Sequence, residues 1–260
     1  QDPLEILNVF VAMAESRCQL SPELRQEIGR LSPGLPEEPS HEVTNRFRDV
    51  LRFADGLPDT LRAMYETGIL EWLIPPFAGV RNLLQFNQYH SFTVDEHTLK
   101  AMDEMTSFAH DESPVGSAYM GVRHRATLHL AMLMHDVGKG RGGDHSIVGE
   151  ALAEDVAVRL QMAANKKSML MFLVRYHLIM PDLAFRRDIT DAIANHSDAW
   201  KAAVTSRPFK AKLKFAGESL AKLPKQYDPE HPFAEDLRRK DFIVTANFTR
   251  QQACGKDFLD

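Results

Sequence analysis

Residues 128–146, LHLAMLMHDVGKGRGGDHS, constrain the fold more than any other stretch of this chain. Leu128, Leu130, Met132, Leu133 and Met134 make a helical run that is almost wholly apolar, so the helix is expected to be buried on most sides. It ends in His135-Asp136. A buried helix that ends in an imidazole and a carboxylate must satisfy both groups. A hydrogen-bonded His–Asp pair would do so, and so would a bound cation, which the negative end of the helix dipole also attracts. Neighbouring residues inside a helix do not share a face, but at a C-terminus both side chains can converge on an ion just past the last turn. The loop that follows (Gly138, Lys139, Gly140, Arg141, Gly142, Gly143) favours the cation. Its lysine and arginine sit on glycine-flanked backbone directly after the two ligand-type residues, placed to hold a phosphate with help from loop N–H groups. A basic turn in solvent is the plainer alternative. Asp144-His145-Ser146 then reads as a new helix start, with Ser146 as N-cap.

Composition narrows the class. At 260 residues the chain can bury a sizeable core, and 44% hydrophobic with 26% charged residues is ordinary for a soluble globular protein. The net charge of −5 gives no sign of a nucleic-acid binder. No uninterrupted apolar stretch reaches membrane-span length, and the N-terminus lacks the pattern of a signal peptide. Cys18 and Cys254 lie at opposite ends and make no disulfide framework, so a cytoplasmic setting is expected. The chain starts at Gln1 rather than Met, as a piece of something longer would.

Read in order, the pattern is helical. Residues 3–16 predict an amphipathic helix with Pro3 in its first turn, and Ser21-Pro22 starts a second. Residues 43–55 and 58–67 predict two more, the latter opened by Pro58 and closed by Gly68. Ile69–Ile74 is a short apolar turn. Nothing catalytic stands out in residues 1–88. Thr93 and Glu96 have capping-box spacing, which starts a helix at Val94 and puts His97 about one turn into it. His90 and His110 receive no role. A helix over 146–163 has His145 just before it, and an apolar helix over 167–179 contains His177. Thr190 to about Asn195 is a short helical run. After about residue 195 the chain turns lysine-rich and proline-interrupted, with a helical turn at Asp236–Lys240 and a strand at Phe242–Phe248.

Four helix-associated positions therefore carry metal-ligand side chains: His97, His135-Asp136, His145 and His177. Imidazole with carboxylate suits Mn, Fe, Zn or, with more oxygen ligands, Mg, while the absence of cysteine argues against a structural zinc site. Sites of this kind generate hydroxide and clamp phosphoryl oxygens. Asp136 and Lys139 are the residues expected to carry the chemistry, with Lys139 and Arg141 on the phosphate.

These residues resemble the HD superfamily of metal-dependent phosphohydrolases. More closely, YHSFTVDEHTL, HDVGKGRGGDHSIVG, LVRYHLIM and RRDITD resemble the HD domain of the bacterial bifunctional uridylyltransferase/uridylyl-removing enzymes, over about residues 2–192. The resemblance implies a mainly α HD-type domain with a divalent metal (Mn, Mg or Fe). It implies hydrolysis of the uridylyl-tyrosine phosphodiester on the PII nitrogen-regulatory protein, with release of UMP. By the same resemblance His97, His135, Asp136, His145 and His177 match the family's metal-binding positions. Neither a nucleic-acid nor a membrane partner is implied.

The chain departs from that pattern in two ways. The family's nucleotidyltransferase and ACT domains are not in this sequence. Nor is its closing aspartate, in a motif like L-x-x-x-x-A-D-I; Asp188 and Asp191 come too early and belong to RRDITD. From about residue 194 the sequence instead resembles the C-terminal part of an unrelated bacterial family of unknown function. The expected layout is a helical lead (1–88), an HD core (89–193) and a small, incomplete α+β tail (194–260) that gives no metal ligand. Two other functions remain open: a different HD nucleotide phosphohydrolase, and a non-catalytic module that binds PII or a nucleotide, which the absent aspartate favours.

Overall fold

A computed structural model describes residues 2–84 and 92–178. The expectations for His90, for Thr190–Asn195, and for the helical turn and strand of the tail fall outside these residues. Among the described residues there are helices and no strand, so the fold is mainly α. None of these helices is long and apolar enough to cross a membrane.

Local signals set the helix boundaries. Helix α1, Pro3–Ser16, opens where the Asp2 side chain accepts a hydrogen bond from the Leu4 N–H. Helices α2 (Pro22–Leu31) and α3 (His41–Val50) are capped in the same way by Ser21 and Ser40. The Ser40 cap explains why α3 starts at His41, earlier than its apolar pattern suggests. Helix α4, Leu57–Glu66, carries Pro58 in its first turn, and after Thr67 the chain reverses at Gly68, whose φ is +77°. A short helix α5, Ile69–Leu73, leads into a 3-10 turn, Pro75–Val80.

Helix α6, Val94–Ser107, begins where the T-x-x-E spacing predicts, but the capping box itself does not form. Glu96 makes a two-pronged ion pair with Arg62 on α4 instead, at 3.1 Å for each bond. An arginine fork satisfies both carboxylate oxygens at once, which one backbone N–H cannot do. The side chain that anchors this helix start is Asp95. It accepts from the Asn82 N–H at 2.8 Å and from the Tyr65 hydroxyl.

Helix α7 (Pro114–Met120) follows a turn in which both the N–H and the hydroxyl of Ser113 donate to Asp111. Residues Asp111–Tyr119 and Leu178 are the described part of a second compact unit. The remaining described residues form the first unit, which holds helices α8 (Arg125–Met134), α9 (His145–Arg159) and α10 (Ala164–Arg175).

Within that unit α1 packs on α3 and α4, α4 on α6, α6 on α8, and α8 on α10, which packs on α9. Phe10, Phe47, Phe77, Leu7 and Leu61 are fully buried in the core of the lead. As its sequence predicts, α8 has no exposed residue along its length. Its burial fixes where the chain emerges at His135. Helices α9 and α10 meet closely at Gly149, where a Cβ would stand 3.1 Å from Val174 Cγ1.

Candidate metal centre

Five side chains that span residues 97–177 converge on one point. His135 and Asp136 follow the last residue of α8, His97 lies in the first turns of α6, and His145 is the first residue of α9. His177 lies just beyond the end of α10, two residues past Arg175, and not inside a helix as its apolar surroundings suggest. The expected cap of α9 is also displaced. Asp144 is the N-cap, and its Oδ1 accepts from both the N–H and the hydroxyl of Ser146, each at 2.8 Å. A carboxylate is the stronger acceptor, so Ser146 donates rather than caps.

Asp136 stands at the centre, 3% exposed. Its Oδ2 faces one pair of imidazoles, with His135 Nε2 at 3.1 Å and His97 Nε2 at 3.7 Å. Its Oδ1 faces a second pair, His145 Nε2 and His177 Nε2, both at 3.7 Å. Each set of three ligand atoms lies within a span of 4.8 Å, the spacing at which one ion could be held.

The same local device aims two of the four rings. His135 Nδ1 donates to the carbonyl of Met132, and His177 Nδ1 donates to the carbonyl of Val174, both at 2.7 Å. Each satisfies one of the carbonyls left open at a helix C-terminus. Because a carbonyl can only accept, Nδ1 must carry the proton in the neutral ring. Nε2 is then a lone-pair donor aimed at Asp136, the form a metal ligand needs. In addition, Nε2 of His145 and of His177 are both buried without a hydrogen-bond partner. Two orphaned imidazole nitrogens facing a buried carboxylate fit a bound cation, since leaving them unpaired is costly.

Together, burial and the surrounding charges favour the metal-binding form of Asp136 and of His177, but the protonated form of His135. Burial favours protonating the Asp136 carboxyl, but His135 and Lys139 beside it outweigh burial and hold it well below the usual carboxylate range. Burial pushes His135 down, and the Asp136 charge more than offsets this, leaving it raised. Burial, with the charge of His135, lowers His177 to about 4, so it stays neutral at ordinary pH.

Lys139 and Arg141 part company. Lys139 Nζ stands 2.8 Å from Asp136 Oδ2, inside the cluster. Arg141 is exposed and donates to the carbonyl of Pro76 at 3.3 Å, with its guanidinium against Gly79. It joins the glycine loop to the 3-10 turn. His110 lies on the surface and pairs with Asp55. Sequence reading missed the Tyr65–Asp95–Asn82 anchor beneath His97. Its only signal was an acidic residue in the first turn, which the neighbouring Glu96 masked.

Comparison with known proteins adds two facts. The bifunctional uridylyltransferase/uridylyl-removing enzyme of Novosphingobium aromaticivorans is 34% identical over 200 residues, which is 74% of this chain and 22% of the relative. Those of Azospirillum brasilense (36% over 203 residues; 73% and 21%) and Ruegeria pomeroyi (35% over 201 residues; 73% and 22%) are similarly close. The chain is homologous to these enzymes over about three quarters of its length. It spans only about a fifth of theirs. A family model described as "Conserved hypothetical protein (DUF2461)" matches residues 176–260, so the tail resembles a different family, and the match begins one residue before His177.

Proposed function

We propose that this chain is an HD-type, metal-dependent phosphodiesterase that removes uridylyl groups from the PII signalling protein. The observation that carries the reading is the division of Asp136. One carboxylate oxygen serves His97 and His135, the other serves His145 and His177. Such a carboxylate can bridge two ion sites. The homology to uridylyl-removing enzymes supplies the substrate class.

The donor set suits Mn, Mg or Fe, and a bound divalent ion would supply Lewis acidity and a hydroxide from water. The protein's own part is to hold the ions. His97, His135 and Asp136 Oδ2 would hold one ion, and Asp136 Oδ1, His145 and His177 a second. Lys139 offers an ammonium to a phosphoryl oxygen. Arg141 could take that role only by leaving the Pro76 carbonyl. Overall, water adds across the phosphorus–tyrosine oxygen bond, giving UMP and the tyrosine hydroxyl. In this reading residues 1–88 are a helical lead, 89–193 the HD core and 194–260 a separate module.

The test is UMP release from uridylylated PII by the purified, metal-loaded chain, beside an Asp136→Asn variant. Release is expected from the wild type, with a loss on the order of 100-fold or more in the variant. A chain that holds metal and binds PII but releases no UMP would instead be a binding module. The closing aspartate missing after RRDITD favours that second reading.

A further inference from the structure

A second concavity lies on the other part of α8. A cavity of about 260 Å³ opens between α3, the first two turns of α8 and the start of α10. Its floor is apolar: Leu51, Leu130 and Leu160 are almost fully buried beneath it. Its rim is cationic. Arg48, Arg52 and Lys166 all line it, against one carboxylate, Asp49.

The cations are not balanced. Asp49 is shared between Arg52 at 3.0 Å and Arg46 at 3.4 Å, so its charge is already divided. Arg48 donates to the neutral amide oxygen of Asn45. Among the described residues no carboxylate lies within ion-pair distance of Lys166. The first turn of α10, which carries Lys166, has no side-chain cap, so its N–H groups add positive potential at the same rim. A positive excess over a low-dielectric floor holds an anion more strongly than the same charges in open solvent.

We propose that this cavity is a binding site for a small phosphate monoester. Arg48, Arg52 and Lys166 grip the phosphate, and the half-buried Ala126 and Met162, which also line the cavity, meet the apolar body of the ester. The excess charge matches a dianion, and guanidinium forks suit phosphate oxygens. The volume admits a compact ligand and excludes a large one. The site shares no residue with the Asp136 cluster.

The test is equilibrium binding of inorganic phosphate and of phenyl phosphate to the full chain and to three variants. His135→Ala disables the Asp136 cluster. Lys166→Glu reverses a charge on the cavity rim. Lys167→Glu makes the same change at the adjacent residue, which pairs with Glu154 outside the cavity. Phenyl phosphate is expected to bind more tightly than inorganic phosphate, because only it reaches the Ala126 and Met162 side chains of the lining. His135→Ala and Lys167→Glu are expected to retain this binding, and Lys166→Glu to weaken it about 10-fold or more. Binding lost in His135→Ala and kept in Lys166→Glu would place the anion at the Asp136 cluster and overturn the proposal. So would equal weakening by the two lysine changes, or no saturable binding of either probe.

Discussion

Lys139 holds its ammonium 2.8 Å from Oδ2 of Asp136, the oxygen that also faces His97 and His135. The lysine therefore stands where it compensates the buried carboxylate when no metal does. Removing one member of a buried charge pair costs about 3–5 kcal/mol when nothing replaces it, and His135 replaces part of it here. Lys139→Ala is expected to destabilise the metal-free chain by about 2 kcal/mol. Mn²⁺ should then restore more stability to the variant than it adds to the wild type, because it no longer competes with the ammonium. Urea unfolding with and without Mn²⁺ checks this. Metal affinity in Lys139→Ala that falls as far as in His135→Ala would show that the lysine supports the site instead of competing for it.

The two faces of Asp136 predict distinct losses of metal. The wild type should hold about two ions per chain if both triads fill. His97→Ala removes a ligand from one triad, and His177→Ala removes one from the other. Each is expected to lower the metal content by about one ion, whereas Asp136→Ala should abolish both. Metal analysis after dialysis gives the answer. A wild-type content of one ion, lost equally in all three variants, would mean that the triads form a single site.

A third prediction concerns pH and a histidine outside the cluster. His129 is fully buried on α8, and its Nδ1 donates to the carbonyl of Leu51 at 2.7 Å. Burial lowers it from 6.5 to about 4. The unfolded chain therefore takes up a proton near pH 6.5 that the native chain refuses until about pH 4. Stability is full above the unfolded value and falls as pH drops through this window. The loss reaches roughly 3 kcal/mol for this one group. His177 is lowered to about 4 as well and adds a loss of the same sign. His129→Gln keeps a donor for the Leu51 carbonyl and removes the titration. Its stability should drop less than that of the wild type between pH 7 and pH 4.5. Identical pH profiles would show that burial at His129 is relieved before it matters.

How far the sequence revealed the site depended on how local each signal was. His135-Asp136 could be read because an apolar run ending in two polar groups is visible within ten residues. The start of α6 could be read from the T-x-x-E spacing because that pattern is local, yet Thr93 makes no side-chain cap and the partner of Glu96 proved to be Arg62, which lies on another helix. His177 was expected inside a helix because the apolar pattern runs through LVRYHLI, but the helix ends at Arg175 and the ring turns back onto Val174. Arg141 looked like a phosphate ligand from its glycine neighbours. Only the fold shows that the Pro75–Val80 turn lies close enough to take its guanidinium.

The loop glycines also differ in a way that spacing could not show. Gly142 and Gly143 have open space where a Cβ would stand, although both need positive φ. Gly138 is the reverse: no positive φ requires it, but a Cβ there would overlap the carbonyl oxygen of His145 and lie 2.8 Å from the Gly149 nitrogen. Both obstacles are backbone, so neither can swing aside as a side chain tip would. Gly138→Ala must push the first turn of α9 away from α8, and His145 moves with it. The expected cost is about 2–3 kcal/mol in stability. Metal should be lost from the Asp136, His145 and His177 triad while the His97, His135 and Asp136 triad keeps its ion. Metal content and unfolding of Gly138→Ala, set beside His145→Ala, decide it. If Gly138→Ala retains full metal and wild-type stability, α9 adjusts without displacing His145, and the close approach at Gly138 does not set the position of the second triad.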